Sequence, residues 1–212
     1  MDKKIPFPVL YRLSLLFDLL NQMKGQGTVK VSSAELGRAL GQTSTTIRKD
    51  ISFIGIAGSA GTKYSTDDLL SLISGRLGFS RLKNCCVIGL GRLGSALIGH
   101  LTSIEACPFR VVAGFESNIN RLETVQSPVA LFPAYRIGEM VKQLHIELAI
   151  LTVPQQQAQE VADRCWDGGI NGILNLTPAV VRPRDGNKFV RSMDISGELR
   201  VLSALLFTHN EI

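Results

Sequence analysis

The sequence predicts an α/β protein in two parts: a small helical module in front, a doubly wound parallel sheet behind it, and one apolar helix at the end. Three observations carry this. From residue 84 onward short apolar runs alternate with helical patterns, the signature of parallel strands joined by crossover helices. Before residue 80 the apolar residues recur at helical spacing, punctuated by caps and glycines. The two stretches also differ in charge. Residues 1–80 hold 10 Lys/Arg against 6 Asp/Glu, whereas residues 81–212 hold 13 against 12, so most of the net +5 sits in front.

In the front module Leu10, Leu13, Leu16, Phe17 and Leu20 predict an amphipathic helix over about 6–24, ended by Gly25-Gln26-Gly27. Ser32 with Glu35 three residues later forms a capping box that opens a short second helix, broken at Gly41-Gln42. Ser44 or Thr43 caps a third helix running to about Ile54. Helix, tight turn, helix is the helix-turn-helix pattern. Burying Ile47, Ile51 and Ile54 turns Thr45, Lys49 and Ser52 outward, with Thr46 and Arg48 flanking them. Hydroxyls and cations on one face suit the major groove of double-stranded DNA. The alternative is a small helical domain with an ordinary solvated face. Gly55, Gly58 and Gly61 before Thr62-Lys63-Tyr64 predict a hairpin wing that adds Lys63 to the DNA-binding set, and Ser65 opens a further helix over 66–77. The module therefore reads as a winged-helix DNA-binding domain over 1–80, with Gly78-Phe79-Ser80 as hinge.

In the second part, strands are predicted at 85–89, 110–115, 129–132, 148–153 and 172–176, with helices at 92–101, 136–145 and 155–168. Gly89-Leu90-Gly91-Arg92-Leu93-Gly94 follows the first strand and opens a helix. In that context a Gly-x-Gly-x-x-Gly turn brings backbone amides and a helix N-terminus to a pyrophosphate. Glu116 ends the second strand, where an acid binds adenosine ribose hydroxyls; this favours NAD over NADP, although Arg121 nearby would suit a 2′-phosphate. Thr152-Val153-Pro154 and Asn175-Leu176-Thr177-Pro178 close strands at the carboxyl edge of the sheet, where ligands bind, or are ordinary loop chemistry. The expectation is a Rossmann-like dinucleotide-binding domain over 81–194 that takes NADH/NAD.

The last segment, 195–212, carries an apolar stripe of Ile195, Leu199, Leu202 and Leu206 with Leu205 beside it. Such a helix is buried either on its own sheet or, as preferred here, in a second subunit. A homodimer also suits two winged helices on a palindromic site. No apolar run approaches a membrane span and no signal-peptide pattern is present, so a cytoplasmic protein without membrane contact is expected. Cys85, Cys86, Cys107 and Cys165 lack metal-ligand spacing and read as reduced thiols, and no metal site is expected. His100, His145 and His209 belong to no catalytic constellation, and too little chain follows the sheet to enclose a substrate. The cofactor is therefore expected to be read rather than turned over. A small NAD-dependent oxidoreductase is the alternative.

The chain resembles the Rex redox-sensing transcriptional repressors along nearly its whole length. The resemblance rests on Val31-Ser32-Ser33-Ala34-Glu35-Leu36, Ile47-Arg48-Lys49-Asp50-Ile51-Ser52-Phe53, the glycine motif at 89–94, Leu151-Thr152-Val153-Pro154, Gly169-Ile170-Asn171-Gly172-Ile173-Leu174-Asn175 and Met193-Asp194. It implies a homodimer that represses transcription from A·T-rich palindromic operators and senses the NADH/NAD ratio. NADH releases the DNA, and a C-terminal helix is exchanged between subunits. It further implies that Asp194 reports the nicotinamide's redox state by pairing with an arginine of the first helix. This chain carries Asp18 there, His100 where the family often has tyrosine, and no arginine near Ser59-Ala60 in the wing. A member with a weak or lost NADH response, or one that reads another nucleotide such as coenzyme A, is the alternative these departures raise.

Overall fold

A computed structural model describes residues 5–56, 61–104 and 107–209. The chain divides into two compact units, Met1–Arg81 and Leu82–Ile212.

The first unit runs α1 (Phe7–Gly25), β1 (Lys30–Ser32), α2 (Ser33–Ala39), α3 (Ser44–Phe53), β2 (Lys63–Ser65) and α4 (Thr66–Leu77). Val9, Leu13, Leu16 and Leu20 of α1 are buried; Leu10, expected in that stripe, is exposed, because the buried face is rotated toward Val9. Ser32 caps α2 by accepting from the Glu35 amide, while the Glu35 carboxylate accepts from the Ser32 amide at 2.7 Å. Thr43 rather than Ser44 caps α3, accepting from the Thr46 amide at 3.1 Å. Ile47, Ile51 and Ile54 enter one core with α1, Val31, Leu36, Tyr64 and Leu69, Leu70 and Ile73 of α4. In the predicted wing, β2 pairs antiparallel with β1 through Val31 and Tyr64, its one strand partner among the described residues. Gly58 and Ser59-Ala60 of that wing lie outside the described residues.

The second unit is a six-stranded sheet, every pairing parallel, in the order β5-β4-β3-β6-β7-β8. Its strands are β3 (Lys83–Ile88), β4 (Phe109–Glu116), β5 (Ala130–Pro133), β6 (Ile146–Leu151), β7 (Gly172–Asn175) and β8 (Phe189–Ser192). The last was not predicted: it has four residues, none of them buried, and pairs only at the sheet's edge. The helices are α5 (Arg92–Thr102), α6 (Ile119–Thr124), α7 (Ile137–Gln143) and α8 (Ala158–Gly168). Helices α7 and α8 cover one face around Phe115, Leu151 and Trp166. Helix α5 covers the other through Ile98, against Val87, Leu90 and Val111. Strand order reverses between β3 and β6, where chains leave the sheet in opposite directions and open a crevice at its carboxyl edge. The unit ends in α9 (Ile195–His209), none of whose residues is buried. Packing of this helix on its own sheet, one of the two arrangements expected above, does not occur.

Candidate functional site

The crevice is a cleft of about 690 Å³ lined by residues from four strand ends: Gly89 and Gly91 after β3, Glu116, Ser117, Asn118 and Arg121 after β4, Ala134 after β5, and Thr152, Val153 and Pro154 after β6. The glycine turn is held from below. Thr152 Oγ1 donates to the carbonyls of Ile88 at 3.0 Å and Gly89 at 2.6 Å, tying the tip of β3 to that of β6. The three glycines have different surroundings. Gly89 has φ +93° and lies so close to Thr152 that a Cβ would come within 2.8 Å of its carbonyl oxygen. A Cβ on Gly94 would lie 2.0 Å from the Gly89 carbonyl oxygen, which is the close helix–strand approach that the third glycine of such motifs serves. A Cβ on Gly91 would meet nothing within 4 Å. Gly91 needs no special backbone, its φ being −67°, and is the N-cap of α5. The smallness of Gly91 thus serves neither fold nor packing; it keeps backbone open to the cleft, beside the first amides of α5.

Glu116 is only 5% exposed and is not a solvated strand-end acid. One carboxylate oxygen accepts from the Leu90 amide of the glycine turn at 2.8 Å and from Arg121 Nη1 at 3.3 Å. The other accepts from the amides of Ser117 at 2.8 Å and Asn118 at 2.9 Å. Burial pushes this carboxyl up, but the Asn118 and Leu90 amides, Arg121 and Ser117 outweigh it, and the pKa lies below the ordinary glutamate value. Glu116 is therefore a fixed anion at the cleft wall, oriented by the turn that would hold phosphate.

Of the predicted cofactor set, Gly89, Gly91, Glu116, Thr152 and Pro154 line this cleft. Leu90 is buried beneath the turn and Gly94 packs behind it, while Arg92 and Leu93 are exposed at the start of α5. Asn175, Pro178 and Asp194 are not among the lining residues. Asn175 is fully buried with its amide committed: Nδ2 donates to the Ala179 carbonyl at 2.8 Å and Ser192 Oγ at 3.1 Å, and Oδ1 accepts from the Thr177 amide and hydroxyl. It pins the connection between β7 and β8. Pro178 is exposed in that connection. Asp194, at the foot of α9, accepts from Arg200 Nη2 at 3.0 Å. Residues not singled out from the sequence complete the wall: Gln157, Glu160, Val161 and Arg164 on or just before α8, with Glu160 and Arg164 paired one turn apart. Their helical spacing was visible, but which face of α8 borders a cleft is set by the crossover from β6 to β7.

In the first unit Thr45, Lys49 and Ser52 are exposed along α3, Thr46 is half-buried, and Lys63 is exposed on β2. Ser52 Oγ donates to the Lys49 carbonyl at 2.6 Å and Thr46 Oγ1 shares a hydrogen bond with Thr43. Arg48 is half-buried and donates to Thr45 Oγ1 at 3.0 Å and Ser33 Oγ of α2 at 3.3 Å, so its guanidinium bridges the two helices beside the outward face. Two further partners were missed. Asp50, on the buried side of α3, is 1% exposed and grips Arg12 of α1 through Nε at 2.6 Å and Nη2 at 2.7 Å. Arg12 is thereby committed to Asp50 and does not serve Asp18, which stands exposed on α1.

A helix-turn-helix unit joined to a Rossmann-like sheet with an open glycine cradle defines a class: a DNA-binding regulator built on a nucleotide-binding fold. The comparisons agree at both ends. A family model described as a CoA binding domain matches residues 80–179, and one described as a putative DNA-binding protein N-terminus matches residues 4–52. The redox-sensing transcriptional repressor Rex of Limosilactobacillus reuteri is 34% identical, covering 99% of this chain and 97% of that protein. Rex 1 of Enterococcus faecalis is 33% identical over 100% and 97%. The solved structure of RSP, a Rex-family repressor, in complex with β-NAD+ and operator DNA is 26% identical, with a TM-score of 0.86 over 98% of this chain and 95% of that one. The chain belongs to the Rex family of redox-sensing transcriptional repressors, which act as regulators and not as enzymes.

Proposed function

We propose that this chain is a homodimeric repressor that binds palindromic operator DNA through its front module and is released by NADH. The observation that carries it is the pairing of an open phosphate cradle at Gly91 with a buried, amide-held Glu116 on the same cleft. That is the donor and acceptor set a dinucleotide needs: amides for the pyrophosphate, a fixed carboxylate for ribose hydroxyls. Gly89, Gly91 and the amides of Arg92 and Leu93 would take the pyrophosphate and Glu116 the ribose, with Thr152 and Pro154 along the wall. Glu116 also stands against a 2′-phosphate, which favours NADH over NADPH. A nicotinamide bound there would supply the redox difference that the protein reads; the chain's own part is to hold it. Thr45, Thr46, Arg48, Lys49, Ser52 and Lys63 form the proposed DNA-facing set. In this reading the winged helix occupies 1–80, the dinucleotide-binding domain 81–194, and 195–212 the segment shared between subunits. The exposed apolar side of α9 supports that sharing. No helix among the described residues is long and apolar enough to cross a membrane, in keeping with a cytoplasmic regulator.

The test is operator binding by fluorescence anisotropy, titrated in parallel with NADH, NAD, NADPH and coenzyme A. NADH should release DNA at far lower concentration than NAD. Release by coenzyme A alone would overturn the cofactor assignment. Asp18 favours a second reading, a member with a blunted NADH response, and a shallow titration would select it.

A further inference from the structure

Besides the Arg48–Ser33 hydrogen bond to α2, helix α3 is held to its unit in two different ways. Ile47 and Ile51 are buried in the shared core and fix how deep the helix sits. Apolar contacts are non-directional, so they hold depth better than rotation about the helix axis. Asp50 is different. Its two oxygens receive Nε and Nη2 of Arg12 at 2.6 and 2.7 Å, a bidentate fork with one preferred planar geometry. Arg12 is carried by α1, a helix of 19 residues anchored on both sides of it by Val9, Leu13, Leu16 and Leu20. Helix α3 has 10 residues. The longer, better anchored helix therefore sets the shorter one.

We infer that Arg12 is a positioning residue for sequence reading: its fork on Asp50 fixes the rotation of α3, and with it where Thr45, Lys49 and Ser52 meet the DNA. Side-chain tips ride about 5–6 Å from a helix axis, so a turn of ~20° carries them ~2 Å. A hydrogen bond to a base edge is lost within a fraction of that distance. Contacts from flexible cations to phosphate follow the displacement and survive. Loss of the fork should therefore weaken operator binding much more than binding to random duplex.

This inference rests on the proposed DNA-reading role of α3, and the experiment separates the two. Full-length Arg12→Lys keeps a positive charge opposite the buried carboxylate but cannot form the fork. Operator affinity is expected to fall about tenfold, which is ~1.4 kcal/mol, with random-duplex affinity and NADH binding close to wild type. Asp50→Asn should shift the ratio of operator to random affinity in the same direction. A purely structural role would lower both DNA affinities by one factor, through the folded fraction, and leave their ratio alone. Lys49→Ala is the control. If Lys49→Ala lowers the ratio and Arg12→Lys leaves it at the wild-type value, the positioning role is overturned and the DNA-reading role stands. If Lys49→Ala also leaves it unchanged, the DNA-reading role of α3 fails and the inference falls with it. Arg12→Lys decides the matter even should Asp50→Asn not fold.

Discussion

Gly91→Val and Gly94→Ala should fail in opposite ways, although the two glycines are three residues apart in one motif. At Gly91 the backbone lies at φ −67° and ψ −170°, which any residue adopts, and an added Cβ meets nothing within 4 Å. Replacing a glycine at such a position restricts the unfolded chain and stabilises by ~0.4–1 kcal/mol. Valine is a poorer N-cap than glycine by a comparable amount, so the two effects offset and the melting temperature should stay close to wild type with the fold unharmed. The same side chain stands where a pyrophosphate must approach. Hydrogen bonds to a charged group contribute ~1.5–3 kcal/mol each, so losing two costs ~3–6 kcal/mol, or roughly two to four powers of ten in NADH affinity. At Gly94 the Cβ would lie 2.0 Å from the Gly89 carbonyl oxygen and 2.7 Å from Thr152 Oγ1, the hydroxyl that ties β3 to β6. Helix α5 must then move off the sheet. Overpacking of ~1–3 kcal/mol plus about 1 kcal/mol for the disturbed hydrogen bond should lower the melting temperature by on the order of 10 °C. Calorimetric NADH titration and thermal melts of both variants check this. A Gly91→Val protein that binds NADH like wild type would show that the cleft does not hold the pyrophosphate at this turn.

Lys49→Ala should weaken operator binding by ~1–3 kcal/mol as a lost base contact, and Arg48→Ala should do so as well by freeing α3 from Ser33; anisotropy unchanged for both would remove α3 from the groove. Glu116 has a depressed pKa in the folded protein, so its contribution to stability is complete above the ordinary glutamate value of 4.5 and is lost as pH falls below it through the folded pKa. Urea melts from pH 7 to pH 3.5 should show wild type losing more stability over that acid interval than Glu116→Gln; parallel curves would contradict it. Asp18→Arg should steepen NADH-driven release by restoring the charge that the family resemblance expects in α1, because a ligand shifts an equilibrium only through differential affinity. Operator affinity at fixed total nucleotide, with the NADH fraction varied, checks this; a steep wild-type response that the substitution leaves alone would place the switch elsewhere. Removing 195–212 should give monomers or aggregates by light scattering, and a soluble dimer would rule out α9 as the shared element.

What was legible in the sequence was local. The capping box at Ser32 and Glu35 is complete within four residues, and the glycine turn announces itself between a strand and a helix. The features that escaped join distant positions. Arg12 and Asp50 are 38 residues apart, and neither neighbourhood marks the other as its partner. Glu116 was placed correctly at its strand end, but its bond to the Leu90 amide, 26 residues back, needs the parallel pairing of β3 with β4 before it exists. Asn175 is placed differently. It sits at a carboxyl edge, where ligands bind in such sheets, yet its amide is consumed by Ala179, Thr177 and Ser192, the last contributed by a strand too short and polar to predict. Position on a sheet says where a side chain can act; whether it borders the cleft is a separate matter, and Glu116 does while Asn175 does not.

Helix α9 carries the same lesson from one chain to two. Its apolar pattern predicted burial, and within this chain Ile195, Leu199, Val201, Leu202, Leu205, Leu206 and Phe207 are all more than half exposed. Periodicity reports that a face needs covering and is silent about which molecule covers it. Seven large apolar side chains on a 15-residue helix make a patch that monomers rarely leave open. The favourable term for covering it is ~25 cal/mol per Å² of apolar area, so a few hundred Å² on each of two exchanged helices contributes on the order of 10 kcal/mol before the cost of association. Covering α9 with a second copy, as proposed, would make assembly part of folding for this segment. Asp194 sits at the foot of that helix, tied to Arg200 on its own second turn. If α9 joins two copies as proposed, a signal carried through Asp194 would be built into that joint, and the charge at Asp18, rather than the nucleotide cleft, would be the feature by which this member differs from the pattern the resemblance implies.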